Sequence, residues 1–236
     1  TLLALCSGIT AIRLGIEGRY ELAIASVMVA VVLDALDGRL ARLLKGTSRF
    51  GAELDSLTDF VNFGVAPALL LYIWSLNSLR TAGWVIALIY AICCALRLAR
   101  FNVALDDPHK PQWANRFFTG APAPAGAGLV LLPFYLSFLG LVDDGHGFAL
   151  LIGPYVVLVA LLMVSRIPTF SGKHMGSSIP RDIVLPVLGL GSFAAIMLIA
   201  YPWEFLTVIS VAYLALIPVS MRSYRRHKAA DAARSA

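Results

Sequence analysis

Residues 34–59 decide the fold, reading Asp34-Ala-Leu-Asp37-Gly38-Arg-Leu-Ala41-Arg42, then eight further residues, then Gly51-Ala-Glu-Leu-Asp55-Ser-Leu-Thr-Asp59. The four aspartates lie at the ends of two segments that are otherwise apolar enough to cross a membrane. A carboxylate close to lipid is costly, so such residues usually face a cavity and serve a function. The stretch therefore predicts two membrane helices that meet at a polar site near one membrane surface.

The rest of the chain has the composition of a membrane protein. Hydrophobic residues make up 59% of the 236 and charged residues only 14%, whereas a soluble domain carries about 25% charged residues. A spanning helix needs about 20 mostly apolar residues. Eight segments approach this length: 1–16, 20–44, 51–77, 82–104, 121–141, 147–165, 182–201 and 203–221. We therefore predict an all-α, polytopic transmembrane bundle of about eight helices, with one catalytic domain over 1–221 and a basic tail over 222–236.

The basic residues predict how this bundle is oriented. Lys and Arg concentrate on the cytoplasmic side of a membrane. If the first helix starts inside, only Arg13, Arg19 and Arg80 of the 19 basic residues fall on the outer side. Both termini and the aspartates are then cytoplasmic, and the net charge of +5 reflects topology and anionic headgroups rather than a nucleic-acid partner. Because the sequence begins at Thr1, we also expect further residues upstream.

The spacing of the aspartates indicates metal ions. Asp34 and Asp37 are three residues apart and Asp55 and Asp59 are four apart, so each pair shares one face of its helix. Consecutive helices joined by a short turn are usually antiparallel neighbours, which lets the two pairs converge. Converging carboxylates repel one another unless cations neutralise them, and hard divalent ions prefer oxygen ligands. The sequence therefore predicts a pair of divalent cations, Mg²⁺ or Mn²⁺, of the kind that stabilises phosphoryl transfer.

Small residues and one arginine accompany the aspartates. Gly38 follows an aspartate directly, and Ala41 and Gly51 each lie one helical turn from one. Missing side chains leave room for a phosphate or nucleotide close to the backbone. Arg42 supplies a fixed positive charge suited to phosphate oxygens. The same stretch therefore predicts a pocket for a phosphorylated group beside the metal site.

These eight positions match the pattern D-x2-D-G-x2-A-R-x8-G-x3-D-x3-D without a departure. In this the segment resembles the CDP-alcohol phosphatidyltransferases. The resemblance implies a six-helix core, here extended at the C-terminal end, and a homodimer. It also implies that an alcohol attacks the phosphorus of CDP-diacylglycerol in the membrane and releases CMP, without a covalent enzyme intermediate.

The resemblance also implies roles for individual residues. Asp34, Asp37 and Asp55 would bind the metal ions, and Asp59 would lie at the same site and act as the base on the acceptor hydroxyl. A set of motif residues would line the CDP pocket: Asp37, Gly38, Ala41, Arg42, Thr47 and Gly51.

Two further segments resemble phosphatidylserine synthases within that family, namely 97–103 (RLARFNV) and 118–126 (FTGAPAPAG). This resemblance implies L-serine as the acceptor. A forked guanidinium is a natural partner for the serine carboxylate, and the candidates are Arg97, Arg100 and Arg116, with Asn102 to orient polar groups. Arginines at an inner helix end also serve as topology anchors, so a purely structural role stays open for each of them.

The sequence alone leaves both the acceptor and the class of protein open. The acceptor could instead be glycerol phosphate, inositol phosphate or choline, with the same chemistry. The aspartates could bind the coupling ion of a transporter, although transporters usually show repeats and midplane sites. An intramembrane prenyltransferase would carry two aspartate-rich motifs, and this chain has one. Instead of a metal site, the aspartates could also form a structural ion-pair network with nearby arginines.

Overall fold

Helices in the computed structural model follow the apolar segments of the sequence. The structure describes residues 1–43, 48–105, 117–142, 145–165, 167–170 and 181–235. The first helices are α1 (Leu2–Ile16), α2 (Tyr20–Leu43), α3 (Arg49–Asp59) and α4 (Ala66–Trp74), with a π-helical segment (Phe60–Val65) between α3 and α4 and a 3₁₀ turn (Leu76–Leu79) after α4. The later helices are α5 (Thr81–Leu105), α6 (Ala123–Val130), α7 (Leu132–Phe138), α8 (Ala149–Val164), α9 (Arg181–Ala200) and α10 (Pro202–Ser235). Two short strands, β1 (Phe117–Thr119) and β2 (Pro168–Phe170), pair antiparallel with Phe117 opposite Phe170.

The prediction of an all-α polytopic membrane bundle is confirmed. Each of the eight apolar segments contains a helix, and the third and fifth are each divided into two, α3–α4 and α6–α7. Within the described ranges, three helices are long and apolar enough to cross a membrane: Arg49–Trp74, Thr81–Val103 and Pro202–Met221. Four shorter apolar helices accompany them. The protein is therefore an integral membrane protein whose helices differ in length.

Small residues let α1 pack closely against its neighbours. The buried residues of α1 recur every three or four positions and form one face: Ala4, Gly8, Ala11 and Gly15. A Cβ at Gly8 would overlap the side chain of Asn62, and a Cβ at Gly15 would overlap Leu70. Small residues at such interfaces allow membrane helices to approach closely. α1 therefore lies directly against the continuous rod formed by α3, the π segment and α4.

The π segment follows the last motif aspartate and is supported by a tyrosine of α5. Such segments interrupt the regular hydrogen bonding of an α-helix. The carbonyl of Phe63 accepts a hydrogen bond of 2.9 Å from the hydroxyl of Tyr90, which is fully buried. Since a backbone carbonyl in lipid must be satisfied within the protein, Tyr90 stabilises the irregular turn directly after Asp59.

The helices differ in how much of their apolar surface is buried. The core surrounds the rod, where the largest fully buried side chains are Tyr90, Tyr135, Phe63 and Phe134. Trp74 stacks on Phe134 with ring centroids 4.3 Å apart. By contrast, α9 exposes large apolar side chains, among them Leu190, Phe193 and Ile199. A contiguous exposed apolar surface of this kind fits contact with lipid.

Candidate active site

The end of α2 and the whole of α3 carry the motif aspartates. These are Asp34 and Asp37 on α2 and Asp55 and Asp59 on α3. The N-cap of α3 is Ser48, whose hydroxyl accepts a hydrogen bond of 3.0 Å from the Gly51 amide. Serine is favoured there because its oxygen satisfies one of the free amides of the first turn. This cap fixes where α3 begins, and with it the face on which the α3 aspartates lie.

The structure brings the predicted aspartates together. One carboxylate oxygen from each of Asp34, Asp37 and Asp55 lies within 4.8 Å of the others. Asp59 adjoins them, because its carboxyl group reaches hydrogen-bonding distance of the Asp34 carboxyl. Oxygens on opposite sides of one divalent ion are about 4–5 Å apart, since each lies about 2.0–2.6 Å from it. The three clustered oxygens are therefore placed to share one cation with only small adjustments.

Protein groups neutralise only part of the negative charge in this cluster. Asp37 accepts a hydrogen bond of 2.5 Å from the Thr1 hydroxyl. The ion pairs between described side chains join Glu17 to Arg13 and Arg19. Among those side chains, therefore, no arginine or lysine forms an ion pair with the cluster, which weighs against a purely structural network. Oxygen donors with so little counter-charge are the set that hard divalent cations prefer.

The described residues predicted to line a CDP pocket lie on the same two helices. A Cβ at Gly38 on α2 would have open space around it, whereas at Gly51 on α3 it would come 3.2 Å from the N-cap hydroxyl. The helical backbone of α2 also includes Ala41 and Arg42. Thr47 lies outside the described residues. Room for a bulky group close to the backbone is thus visible at Gly38.

Arg97 lies in the interior of the bundle. Its residue is only 6% exposed, its Nε donates a hydrogen bond to the carbonyl of Ala121, and its guanidinium carbon lies 5.7 Å from the centroid of the Phe101 ring. Arg97 is also close enough to Asp59 for the two charges to interact. The Arg97 side chain, in segment 97–103, therefore lies near the aspartate cluster and also contacts segment 118–126.

Arg100 has different partners, because it closes the end of a helix. Its Nη1 donates to the carbonyl of Val164 at 2.7 Å and to that of Ser165 at 3.4 Å, where α8 ends. Cationic side chains at a helix C-terminus satisfy its free carbonyls and interact favourably with its dipole. The contacts observed for Arg100 are therefore those of a structural residue.

Asn102 links the end of α5 to the helix that carries Asp55. Its Nδ2 donates a hydrogen bond of 2.9 Å to Oγ of Ser56, the residue that follows Asp55. This bond ties the first serine-synthase-like segment to the helix of the cluster. The remaining serine-binding candidate, Arg116, lies outside the described residues.

Two polar residues beside the cluster were not among the predicted site residues. Thr58 is 1% exposed and Asn62 is fully buried. Neither side chain has a hydrogen-bond partner in the part of the chain that the structure describes. Asn62 interrupts an otherwise apolar run after Asp59, and a lone polar side chain in a membrane segment is a signal that could have identified it.

Family comparisons agree with this arrangement over most of the chain. The model of the CDP-alcohol phosphatidyltransferase family matches residues 1–164, and that of CDP-alcohol phosphatidyltransferase 2 matches residues 182–218. The chain belongs to the CDP-alcohol phosphatidyltransferase family. The resemblance seen in the motif is thereby confirmed, and this CDP-alcohol phosphatidyltransferase is an enzyme rather than a transporter or a prenyltransferase.

Three relatives of this CDP-alcohol phosphatidyltransferase, from two mycobacteria and an archaeon, are each named CDP-diacylglycerol–serine O-phosphatidyltransferase. The protein of Mycobacterium tuberculosis (strain ATCC 25618 / H37Rv) is 40% identical over 232 residues, covering 95% of this chain and 77% of the relative. That of Mycobacterium leprae is 42% identical over 227 residues, covering 95% and 74%. That of Methanocaldococcus jannaschii is 32% identical over 209 residues, covering 85% and 87%. The similarity thus extends well beyond the motif.

Proposed function

We propose that this enzyme transfers the phosphatidyl group of CDP-diacylglycerol to the hydroxyl of L-serine, giving phosphatidylserine and CMP. The named activity of relatives that align with 85–95% of the chain supports this acceptor. The observation that carries the chemistry is the convergence of Asp34, Asp37 and Asp55, with oxygens within 4.8 Å, beside Asp59.

The cluster would hold two divalent cations, Mg²⁺ or Mn²⁺, through Asp34, Asp37, Asp55 and Asp59. When bound, such ions neutralise the pyrophosphate and stabilise the charge that develops during phosphoryl transfer. The protein's own contribution is to aim carboxylates from α2 and α3 at one point. The N-cap at Ser48 and the close packing of α1 support that geometry.

The nucleotide would lie along the end of α2 and the start of α3. Its pocket would be formed by Asp37, Gly38, Ala41, Arg42, Thr47 and Gly51. The open space at Gly38 allows close approach to the backbone. A guanidinium is well suited to phosphate oxygens because it offers a planar fork of N–H donors.

The reaction would be a direct displacement. The serine oxygen forms a bond to the phosphorus that carries diacylglycerol, and the bond from that phosphorus to the bridging oxygen breaks, so that CMP leaves with the oxygen. Asp59 accepts the proton of the serine hydroxyl. A well-placed base contributes about 10²–10⁴-fold, and the correct placement of both substrates supplies much of the remainder.

Arg97 is the favoured partner for the serine carboxylate. It is buried and lies near Asp59, and a guanidinium has five N–H donors, of which the Nε–H serves the Ala121 carbonyl. Charged hydrogen bonds are strong in such a low-dielectric interior. Arg100 is already engaged at the end of α8, whereas Asn102 and Arg116 remain candidates for orienting the acceptor.

The active site would face the cytoplasm, where polar alcohols and CDP-linked substrates meet. The contact between Thr1 and Asp37 supports a common membrane surface for the start of α1 and the end of α2, and the distribution of basic residues favours the inner one. Both termini would then be cytoplasmic. Residues 1–221 would form one catalytic domain, followed by the basic tail 222–236, and the enzyme would act as a homodimer.

An acceptor panel tests the proposal. The purified enzyme in detergent is incubated with CDP-diacylglycerol, Mg²⁺ or Mn²⁺, and one labelled acceptor at a time: serine, glycerol phosphate, inositol phosphate or choline. We expect CMP release and labelled lipid with serine alone, and loss of both after chelation by EDTA, with recovery when either ion is added back. A different preferred acceptor would reject serine while leaving the class of reaction intact.

The variant Asp59→Asn tests the proposed base. Because it keeps an oxygen ligand but cannot accept a proton, CMP release should be lost while Mn²⁺ binding, measured by calorimetry, is partly retained. Turnover equal to that of the parent enzyme would show that another group takes the proton.

A further inference from the structure

Three neighbouring residues at the junction of α3 and the π segment contain buried polar atoms without a partner. They are the Thr58 hydroxyl, Oδ1 of Asp59, and both Oδ1 and Nδ2 of Asn62, none of which has a hydrogen-bond partner among the described residues. Leaving a buried polar group unpaired costs about 1–3 kcal/mol. Native proteins therefore pair nearly all such groups with protein or bound water.

These atoms lie on one side of the rod. Thr58 and Asn62 are four residues apart across the start of the π segment, which is close to one helical turn, so the two side chains lie on the same side of the rod with Asp59 beside them. That side faces α1, because a Cβ at Gly8 would overlap the Asn62 amide oxygen and come 2.9 Å from its Cγ. Gly8 therefore leaves just enough room for the amide between α1 and the π segment.

The donors and acceptors in this group complement each other. The Thr58 hydroxyl and the Asn62 Nδ2 can donate, whereas Oδ1 of Asp59 and Oδ1 of Asn62 can accept. A buried water typically makes about three hydrogen bonds, with a range of about 2–4. One water among these side chains would satisfy the carboxylate and the amide together. π-helical segments are also frequent at functional sites.

We propose that Thr58 and Asn62 are positioning residues that bind one buried water and through it hold Asp59, so that the second Asp59 oxygen faces the acceptor hydroxyl. This inference rests on the proposed role of Asp59 as the base. Asp34 contacts the same carboxyl group, so the water and Asp34 together would fix how the Asp59 carboxylate is oriented. Loss of the Thr58–Asn62 pair should therefore slow the chemical step without weakening the binding of either substrate.

The hydroxyl of Thr58 offers the cleanest test. Thr58→Val keeps the branched shape and removes the hydroxyl, whereas Thr58→Ser keeps the hydroxyl. We expect Thr58→Val to lower kcat by about 10- to 100-fold, the usual effect of losing a group that orients a metal-site ligand, with the KM for serine within about twofold of the parent. Thr58→Ser should recover most of the lost turnover, which a packing role would not predict.

Two changes at the α1 contact test Asn62 independently. Asn62→Leu removes the amide but keeps the branching at Cγ, and Gly8→Ala keeps the amide but displaces it by steric overlap. Both should reproduce the fall in kcat. Gly128→Ala is the matched control, because a Cβ there has nothing within 4 Å. Elution of each variant as a single species in detergent verifies folding.

The outcomes separate this inference from the proposed function. If the parent enzyme is inactive with serine, the proposed acceptor is wrong. The turnover of the variants is then compared by CMP release with the acceptor that the parent enzyme does use. Parent-like kcat in Thr58→Val, or equal losses in Thr58→Val and Thr58→Ser, would overturn the positioning role. A raised serine KM at unchanged kcat would also overturn it, since the pair would then contact the acceptor.

Discussion

The acidic cluster of α2 and α3 and the arginine pair of α5 differ in where their hydrogen bonds go. Arg97 and Arg100 both donate to backbone carbonyls, at Ala121 and at the end of α8. The aspartates contact one another and Thr1, and no described arginine or lysine forms an ion pair with them. The two arginines thus tie α5 to neighbouring segments, whereas the carboxylates have no cationic side chain as an ion-pair partner among the described residues.

The acidic region should show the largest effect of substitution. Asp55→Asn removes one charge from the cluster, and the loss of several kcal/mol of transition-state stabilisation corresponds to about a 10³-fold fall in kcat. Glu53→Gln is the matched control, because Glu53 is an exposed carboxylate on the same helix. Steady-state CMP release at saturating Mg²⁺ measures both. Equal activity of the two variants would show that the Asp55 carboxylate matters no more for turnover than an exposed surface carboxylate.

The two arginines should differ from each other. Arg97→Lys keeps the charge but loses the planar fork, and we expect the KM for serine to rise about tenfold, equivalent to about 1.4 kcal/mol, with the KM for CDP-diacylglycerol unchanged. Arg100→Lys should leave the serine KM near that of the parent and instead lower the thermal midpoint, because the bonds to the end of α8 are lost. The reverse pattern would reassign the acceptor site to Arg100.

A smaller effect is expected at Gly120, which precedes the carbonyl that Arg97 contacts. Gly120 has φ +77, and a Cβ there would come 2.9 Å from the Ser165 carbonyl oxygen. A left-handed conformation costs a non-glycine residue roughly 1–2 kcal/mol, which corresponds to a fall of roughly 2–8 °C in thermal midpoint for a chain of this size.

The control for Gly120→Ala is again Gly128→Ala, which meets no neighbouring atom. Thermal unfolding in detergent, followed by intrinsic fluorescence, compares the two. A loss of metal-dependent activity at unchanged stability would contradict the view that this segment supports the arginine region rather than the acidic one.

The smallest effect is expected at the support of the π segment, which lies between the two regions. Tyr90→Phe removes the hydroxyl that donates to the Phe63 carbonyl, and a hydrogen bond of this kind contributes about 0.5–1.5 kcal/mol. The thermal midpoint should fall slightly, whereas Tyr201→Phe at an exposed position should leave it unchanged. A Tyr90→Phe variant as stable as the parent would mean that the irregular turn needs no support from α5.

Much of the acidic site could be predicted from the sequence, and less of the arginine site. The aspartate spacing acts within single helices, so periodicity alone places each pair on one face. Arg97 and Arg100 lie three residues apart on one helix, and nothing local distinguishes them. Their different roles come from Ala121 and Val164, which lie in distant parts of the sequence.

By itself the sequence determined the membrane helices, the family and the four aspartates, because hydropathy and short-range spacing act within one segment. Only the tertiary structure decided that α1 packs through Gly8 onto Asn62, that Tyr90 supports the π segment, and that Arg100 closes α8. The physical reason is that burial and hydrogen bonding between helices depend on which residues meet across the bundle. That information resides in the packing of the whole chain and not in any one stretch of it.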